Sequence, residues 1–205
     1  TQSTSFNVVP LRAGPDQAFA VESNLFKYHA ACYFTHASID AMNDLRDNFG
    51  FAPDDVLKVH AHVPRQHFDV CDIRHPRTGL EMKFSIRQVI AMALAGLDTG
   101  DTELYNPQTA VQEDLVTLRK KVELHPEDYD DRHVSEMVVE LHNGRVFKKW
   151  MDVGIATKDT DIQWAKLTDK FLRLAEPVVG ITRARQAIAL VANLDQAENL
   201  HSLLE

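Results

Sequence analysis

Hydrophobic residues alternate with polar ones in some parts of this chain and recur every three or four residues in others. The mixture over residues 19–27 is typical of a strand. A helical spacing follows over residues 36–49, with Thr35 as its predicted cap and Gly50 at its end. Alternation returns over residues 56–63 and predicts a second strand. The chain therefore opens with a strand, a helix and a strand.

The middle of the chain has the pattern of helices. A long polar loop is predicted over residues 64–79, and a helix over residues 84–97. Asn106 followed by Pro107 indicates the start of another helix, as cap and first helical residue. The inner stripe of that helix is predicted to be Val111, Leu115 and Leu118.

β-Structure returns before the chain ends in helices. A short strand is predicted over residues 122–124, and Asn143-Gly144 between residues 134–141 and 145–153 is a strong hairpin signal. Past Gly154 the spacing is helical, with breaks predicted at Pro177 and Gly180. Strands and helices without strict alternation indicate an α+β fold, a two-layer sandwich of helices on a mixed or antiparallel sheet.

Composition and charge narrow the function classes. The 205 residues are 44% hydrophobic, enough for a real core, and the net charge of −8 argues against nucleic acid as a partner. No apolar run is long enough to cross a membrane. Two cysteines make no disulfide framework, so we expect a cytoplasmic protein, or one of the mitochondrial matrix if the source is eukaryotic. A polar start at Thr1, without methionine, indicates a fragment.

The residues best placed for chemistry lie between the first predicted strand and helix. Lys27, Cys32 and His36 offer a cation for a carboxylate, a thiol, and an imidazole that titrates near neutral pH. Helix N-termini also favour anions. The three residues together would suit a small di- or tricarboxylate, although surface lysines and buried cysteines are common without function.

Several short motifs in order resemble those of the MmgE/PrpD family, which includes 2-methylcitrate dehydratase, cis-aconitate decarboxylase and iminodisuccinate epimerase. The first comprises Lys27, Cys32, Thr35-His36 and Asp40-Ala41, and the second is the run Pro76–Ser85, with Glu81, Lys83 and Phe84 at the matching places. Three later segments agree: Lys121–Leu124, the hairpin at Asn143–Val146, and the helix around Lys170-Phe171. The resemblance extends from Val21 to about Leu194.

The resemblance implies the C-terminal part of a lyase or isomerase that removes a proton beside a carboxylate, without metal or organic cofactor. It implies a lead-in or linker at 1–18, an α+β lid domain at 19–156, and a C-terminal helical segment at 157–205. That segment would pack on an N-terminal all-helical domain that is missing from these residues. The partners expected are a small polycarboxylate, this helical domain, and a second copy in a homodimer.

The resemblance also implies residue roles. His36 and Cys32 would be catalytic or line the pocket, His36 as a proton donor. Lys27, Lys83, Ser85 and Gln88 would bind substrate, with Ser85 alternatively capping a helix. Gln88 lies where many members have a tyrosine, so an amide replaces a phenol and the usual dehydration or decarboxylation is put in doubt.

Two other functions stay open. A non-catalytic α+β module could bind a small anion or mediate dimerisation, since the fold alone proves no activity. A metal-dependent hydrolase could use residues 60–75, where His60 and His62 share a strand face before His67, Asp69, Cys71, Asp72 and His75. These residues follow no standard ligand spacing, so the expectation is no metal.

Overall fold

A four-stranded mixed sheet organises the protein. The computed structural model describes residues 20–196, so the predicted lead-in at 1–18 and the last nine residues lie outside it. The sheet has the order β2-β1-β3-β4, in which β1 and β2 are parallel and the other neighbours antiparallel. The strands are β1 (Val56–Pro64), β2 (Val122–Glu127), β3 (Val134–Leu141) and β4 (Val146–Asp152).

Helices cover one face of the sheet and give the α+β fold expected from the sequence. The longest helices of this layer are α1 (His36–Phe49) and α4 (Ile86–Leu94), and α1 packs on β3 and β4 while α4 reaches β2. Between β1 and β2 the chain also forms α2 (His67–Cys71), α3 (Gly79–Lys83), α5 (Pro107–Val111) and α6 (Glu113–Lys120). The core lies between the two layers and includes Ile39, Leu45, Ile90 and Met137, all fully buried.

Burial alternates along β1, so that one face of the sheet is covered and the other is open to solvent. Val59, Ala61 and Val63 point into the core, while the residues between them are partly exposed. The register shifts between Val56 and Lys58, which allows Val56 also to face inward and leaves Leu57 half exposed. The outer face therefore bears the polar residues of the sheet.

The strand predicted over residues 19–27 is wrong. Ala20–Ser23 forms a 3₁₀ turn, and the chain then stays irregular as far as Cys32. Its backbone bonds explain this, because the amide of Ala30 donates to Thr99 and that of Cys32 donates to Lys83. One partner lies in the loop after α4 and the other at the end of α3, so no ladder with one neighbouring strand forms.

Helix boundaries in the middle of the chain also differ from the sequence prediction. The polar loop predicted over residues 64–79 contains α2, and the helix predicted over residues 84–97 is the shorter α4. The separate helix α3 precedes it, and the two are joined through Phe84 and Ser85. Thr35 is already helical, and its hydroxyl donates to the Cys32 carbonyl instead of capping α1. Val111 is exposed because the chain bends at Gln112, although Leu115 and Leu118 are buried as predicted.

The hairpin and the C-terminal helices agree more closely with the sequence. Gly144 has a φ of 83°, the left-handed conformation that the Asn-Gly turn requires. Two helices follow, α7 (Thr160–Val179) and α8 (Ile181–Ala192), separated at Gly180 as predicted. The break predicted at Pro177 is wrong. This proline lies in the last turn of α7, where its missing N–H removes one bond without ending the helix.

The two C-terminal helices have little core of their own. Ala184 is the one fully buried residue described in α7 or α8. Neither these helices nor any other described helix combines the length and the apolar character needed to cross a lipid bilayer.

Candidate functional site

The irregular segment from Lys27 to Cys32 lies across the junction of α3 and α4. The Cys32 amide donates to the Lys83 carbonyl over 2.9 Å, and the Ala30 amide donates to the Thr99 carbonyl over 2.9 Å. These two bonds hold one side of the segment against the end of α3 and the other against the loop after α4. Residues 27–32 and 83–85 are therefore brought together by the backbone itself.

The run Pro76–Ser85 is built from two successive helix starts. The Thr78 hydroxyl accepts from the Glu81 amide at 3.2 Å, and the Glu81 carboxylate accepts from the Thr78 amide at 3.3 Å, which is a capping box at the start of α3. Ser85 then caps α4 by accepting from the Gln88 amide at 3.3 Å. Lys83, the last residue of α3, thus has a defined backbone position just before the cap of α4.

Gly79 fixes the other side of this junction. A Cβ placed at Gly79 would lie 1.8 Å from the backbone oxygen of Tyr105, closer than any real contact. The absence of a side chain lets α3 approach the Tyr105 backbone directly. As a result the Tyr105 ring lies beneath the Lys83 ammonium, 5.3 Å from the nitrogen to the ring centre.

A cavity of about 350 Å³ opens at this junction, and three lysines line it. Lys27 and Lys83 were predicted from the sequence, and the structure brings them together with Cys32. Lys170 comes from α7, and its ammonium donates to the Lys27 carbonyl over 2.5 Å. The cavity therefore joins α7 to the helices and loops of the sheet layer, with Lys170 as a third cation that the sequence reasoning missed.

The positive charge of this cavity is not neutralised within the described chain. Among residues 20–196 no carboxylate lies within ion-pair distance of the ammonium groups of Lys27, Lys83 or Lys170. The described residues that line the cavity also include no aspartate or glutamate. Ammonium groups collected around one concave site form strong charge-assisted hydrogen bonds with a bound carboxylate. The cavity is thus a candidate anion-binding site.

Cys32 lines the cavity with a second thiol behind it. The side chains of Cys32 and Cys71 share a hydrogen bond, and Cys71 is fully buried at the end of α2. Burial, followed by the neighbouring Cys32, raises the pKa of the Cys71 thiol. Cys71 therefore stays protonated, and it can donate its proton to the Cys32 sulfur.

His36 does not line the lysine cavity. It is buried in the first turn of α1, lies against the tilted ring of Tyr33 with ring centres 4.6 Å apart, and lines a separate cavity of about 220 Å³ with Asp40. Burial, then the nearby His29, lowers the pKa of His36 to about 3. Its ring bonds the Ala31 backbone, and Nε2 has no hydrogen-bond partner among the described residues. His36 is therefore neutral at physiological pH, with one donor and one acceptor nitrogen.

His29 is the histidine that reaches the lysine cavity. Its Nε2 donates to Asp40 over 2.9 Å, since an ionised carboxylate can only accept, and Nδ1 therefore accepts from the Thr99 hydroxyl at 2.7 Å. Both ring nitrogens are thus occupied, and the ring is fixed in one tautomer. Sequence reasoning missed His29, although the aspartate of the first motif, Asp40, could have indicated that a nearby histidine is bonded to it.

The other two predicted site residues lie outside this cavity. Ser85 is buried and serves as the cap of α4. The Gln88 side chain is fully buried between α4 and α6, where its carbonyl accepts from Arg119 at 2.5 Å. Its Nε2 lacks a hydrogen-bond partner among residues 20–196. In this structure Gln88 therefore belongs to a polar contact in the core, and its predicted contact with substrate stays untested.

Comparison with known proteins identifies the same part of the chain. Residues 29–196 match a protein-family model described as the MmgE/PrpD C-terminal domain. This span includes α1 through α8, the whole sheet and the second motif. A search of curated proteins found no match.

Proposed function

Because this chain belongs to the MmgE/PrpD family through its C-terminal domain, we propose that it is the lid domain of a lyase or isomerase acting on a small di- or tricarboxylate. Substrates of the 2-methylcitrate, cis-aconitate or iminodisuccinate type fit this proposal. The observation that carries it is the cavity lined by Lys27, Lys83 and Lys170. Three cations that have no carboxylate partner among residues 20–196 suit a ligand that carries two or three carboxylates.

The proposed roles follow from the positions of these groups. Lys27 and Lys83 would bind substrate carboxylates, because both extend from backbone segments that are bonded to each other. Lys170 would bind a further carboxylate or keep Lys27 in place. Cations close to a carboxylate also favour loss of the proton beside it, since they stabilise the negative charge that develops. The lysines would thus serve both binding and the first chemical step.

The proton-transfer groups would come in part from elsewhere. Within the described lining of the cavity, His29 has both nitrogens engaged and no carboxylate is present. A general base must lie within hydrogen-bond reach of the proton that it removes. We therefore assign this step to residues of the missing N-terminal helical domain. The catalytic role predicted for His36 and Cys32 stays a prediction.

The groove between α7 and α8 is the proposed contact with that domain. It has a volume of about 650 Å³ and is lined almost entirely by apolar residues. These include Trp164, Leu167, Phe171, Leu174, Val178, Ile188 and Val191. Leu174 also lines the lysine cavity, so a domain seated on the groove would stand at the edge of the substrate site. Self-association through the same groove is the alternative, in line with the homodimer that we expect.

The test measures binding and turnover separately in the protein that includes its preceding domain. Lys27→Ala and Lys83→Ala should each weaken binding of the three candidate substrates by about tenfold or more, because each removes a charge-assisted hydrogen bond. Lys148→Ala is the matched control, since that lysine pairs with Glu136 on the outer face of the sheet. Unchanged binding and turnover in both cavity variants would refute the proposal. Binding without any turnover would favour the non-catalytic anion-binding module.

A further inference from the structure

Three histidines and several glutamates share the outer face of the sheet. Because β1 and β2 are parallel and paired with His60 opposite Glu123 and His62 opposite His125, all four side chains lie on the face that α1 and α4 do not cover. Glu140 of β3 points to the same face and lies 3.4 Å from His60. The face is open to solvent, and His60 is about one-fifth exposed.

The ligand-type atoms of three of these residues converge on one point. His60 Nδ1 and His125 Nε2 are 2.9 Å apart, and Glu123 Oε2 lies 3.7 Å from His60 Nδ1. All three ligand atoms lie within 4.8 Å of one another. Tetrahedral zinc with bonds of about 2.1 Å keeps its ligand atoms roughly 3.4 Å apart. The side chains therefore need only small rotations to hold an ion.

We propose that His60, Glu123 and His125 bind one divalent transition-metal ion of the zinc class. Two imidazoles and one carboxylate are a donor set that zinc accepts in proteins, with water in the fourth position. The site differs from the expectation of no metal drawn from the sequence. That reasoning considered ligands along residues 60–75, whereas two of these ligands lie on β2, more than sixty residues away in the chain.

Neighbouring side chains hold the three ligands in suitable orientations. Glu140 faces Nε2 of His60 and favours the tautomer whose Nδ1 lone pair points to the ion. Lys58 binds Oε1 of Glu123 over 2.7 Å, so Oε2 stays free to coordinate. His62 bonds Glu127 over 2.7 Å and stacks on His125 with ring centres 4.7 Å apart.

Metal binding would move one hydrogen of His125 from one ring nitrogen to the other. With His60 Nδ1 as acceptor, His125 Nε2 donates the shared hydrogen in the metal-free state. When the ion binds, His125 carries its hydrogen on Nδ1 instead, and both facing nitrogens coordinate. The ion would then join the edge strand β2 to β1, on the side of the sheet away from the lysine cavity. The site is therefore structural and takes no part in the proposed reaction.

The test titrates zinc into tag-free protein by calorimetry. We expect one ion per chain, and His60→Gln or His125→Gln should weaken its binding by at least about tenfold, as loss of metal-site groups does. Glu123→Gln should weaken it less. Two matched controls, His142→Gln in the exposed hairpin and Glu136→Gln beside Lys148, should leave the affinity unchanged.

A second measurement on the unaltered protein does not depend on how the variants fold. Bound zinc should protect His60 and His125 from acylation by diethyl pyrocarbonate, read by peptide mass spectrometry, while His142 reacts as before. The proposal fails if millimolar zinc does not bind or does not protect these two histidines. It also fails if His60→Gln and His125→Gln bind zinc as tightly as the unaltered protein.

Discussion

The helices on the sheet and the two C-terminal helices have similar amphipathic patterns and very different surroundings. In the sheet layer, the apolar residues of α1 and α4 are enclosed, and Leu45 and Ile90 have no exposed surface. In α7 and α8 the corresponding residues remain open, with Trp164 and Phe171 each more than 40% exposed. The same pattern therefore predicts that a face will be buried, and says nothing about which element buries it.

The attachment of α7 to the sheet layer is mostly polar. Arg173 pairs with Asp98, Lys170 binds the Lys27 carbonyl, and the Lys166 ammonium lies 5.3 Å from the centre of the Tyr28 ring. Exposed polar contacts contribute little to stability compared with burial of a core side chain. The lysine cavity therefore lies where a well-packed region meets a weakly attached one, next to the proposed contact with the N-terminal domain.

Two matched leucine substitutions test this contrast most strongly. Leu45→Ala should lower the free energy of unfolding by about 3 kcal/mol, because the side chain is fully enclosed and its removal leaves a cavity. Leu174→Ala should lower it by less than about 1 kcal/mol in this chain, since the side chain is 41% exposed. Chemical denaturation of both variants checks the difference.

Equal destabilisation by the two leucine substitutions would contradict the difference between the sheet layer and the C-terminal helices. If Leu174→Ala destabilised the chain as much as Leu45→Ala, the C-terminal helices would be part of the same cooperative core. If the proposed N-terminal domain covers the groove, Leu174→Ala should become more costly in a protein that includes that domain. An equal small effect in both contexts would argue against that contact.

His36 provides a test of intermediate size within the packed region. Burial, then His29, lowers its pKa to about 3, below the usual value of 6.5. Between these two values the unfolded chain binds a proton that the folded chain does not, so stability is complete above about pH 6.5 and falls as the pH is lowered. The expected loss from this group is about 2 kcal/mol between pH 6.5 and 4.5, measured by urea denaturation.

A variant separates this effect from other titrations. His36→Asn should reduce the slope of stability against pH, whereas His142→Asn in the exposed hairpin should preserve it. Burial also lowers the pKa of His67, so part of the slope should remain in the His36 variant. A slope unchanged by His36→Asn would contradict the assignment.

Local patterns were enough to predict most elements of the fold. The alternation in β1 and β3, the Asn-Gly turn and the helix caps at Ser85 and Asn106 depend on neighbours a few residues away, and all appear in the structure. The false strand over residues 19–27 had the right composition. It failed because strand formation requires a partner, and the nearby backbone groups bond to Thr99 and Lys83 instead.

The candidate site was less accessible from the sequence. Lys27, Cys32 and Lys83 could be found because they belong to short motifs, and the structure brings them to one cavity. Lys170 lies in a matching segment as well, but nothing local shows that it reaches Lys27 across 143 positions of the chain. Gln88 occupies a promising motif position but points into the core toward Arg119. The direction in which such a side chain points depends on tertiary packing, and the spacing of residues in the sequence does not determine it.

The smallest expected effects come from one helix cap in each region. Ser85→Ala removes the hydroxyl that accepts from the Gln88 amide at the start of α4, and should lower the free energy of unfolding by about 1 kcal/mol. Asp159→Ala removes the carboxylate that accepts from the Asp161 and Ile162 amides at the start of α7. Because α7 is not enclosed in the core, loss of this cap should make amide exchange in α7 faster and should change the unfolding of the sheet layer little. If amide exchange instead became faster by the same factor in α7 and in the sheet, the two would unfold as one unit.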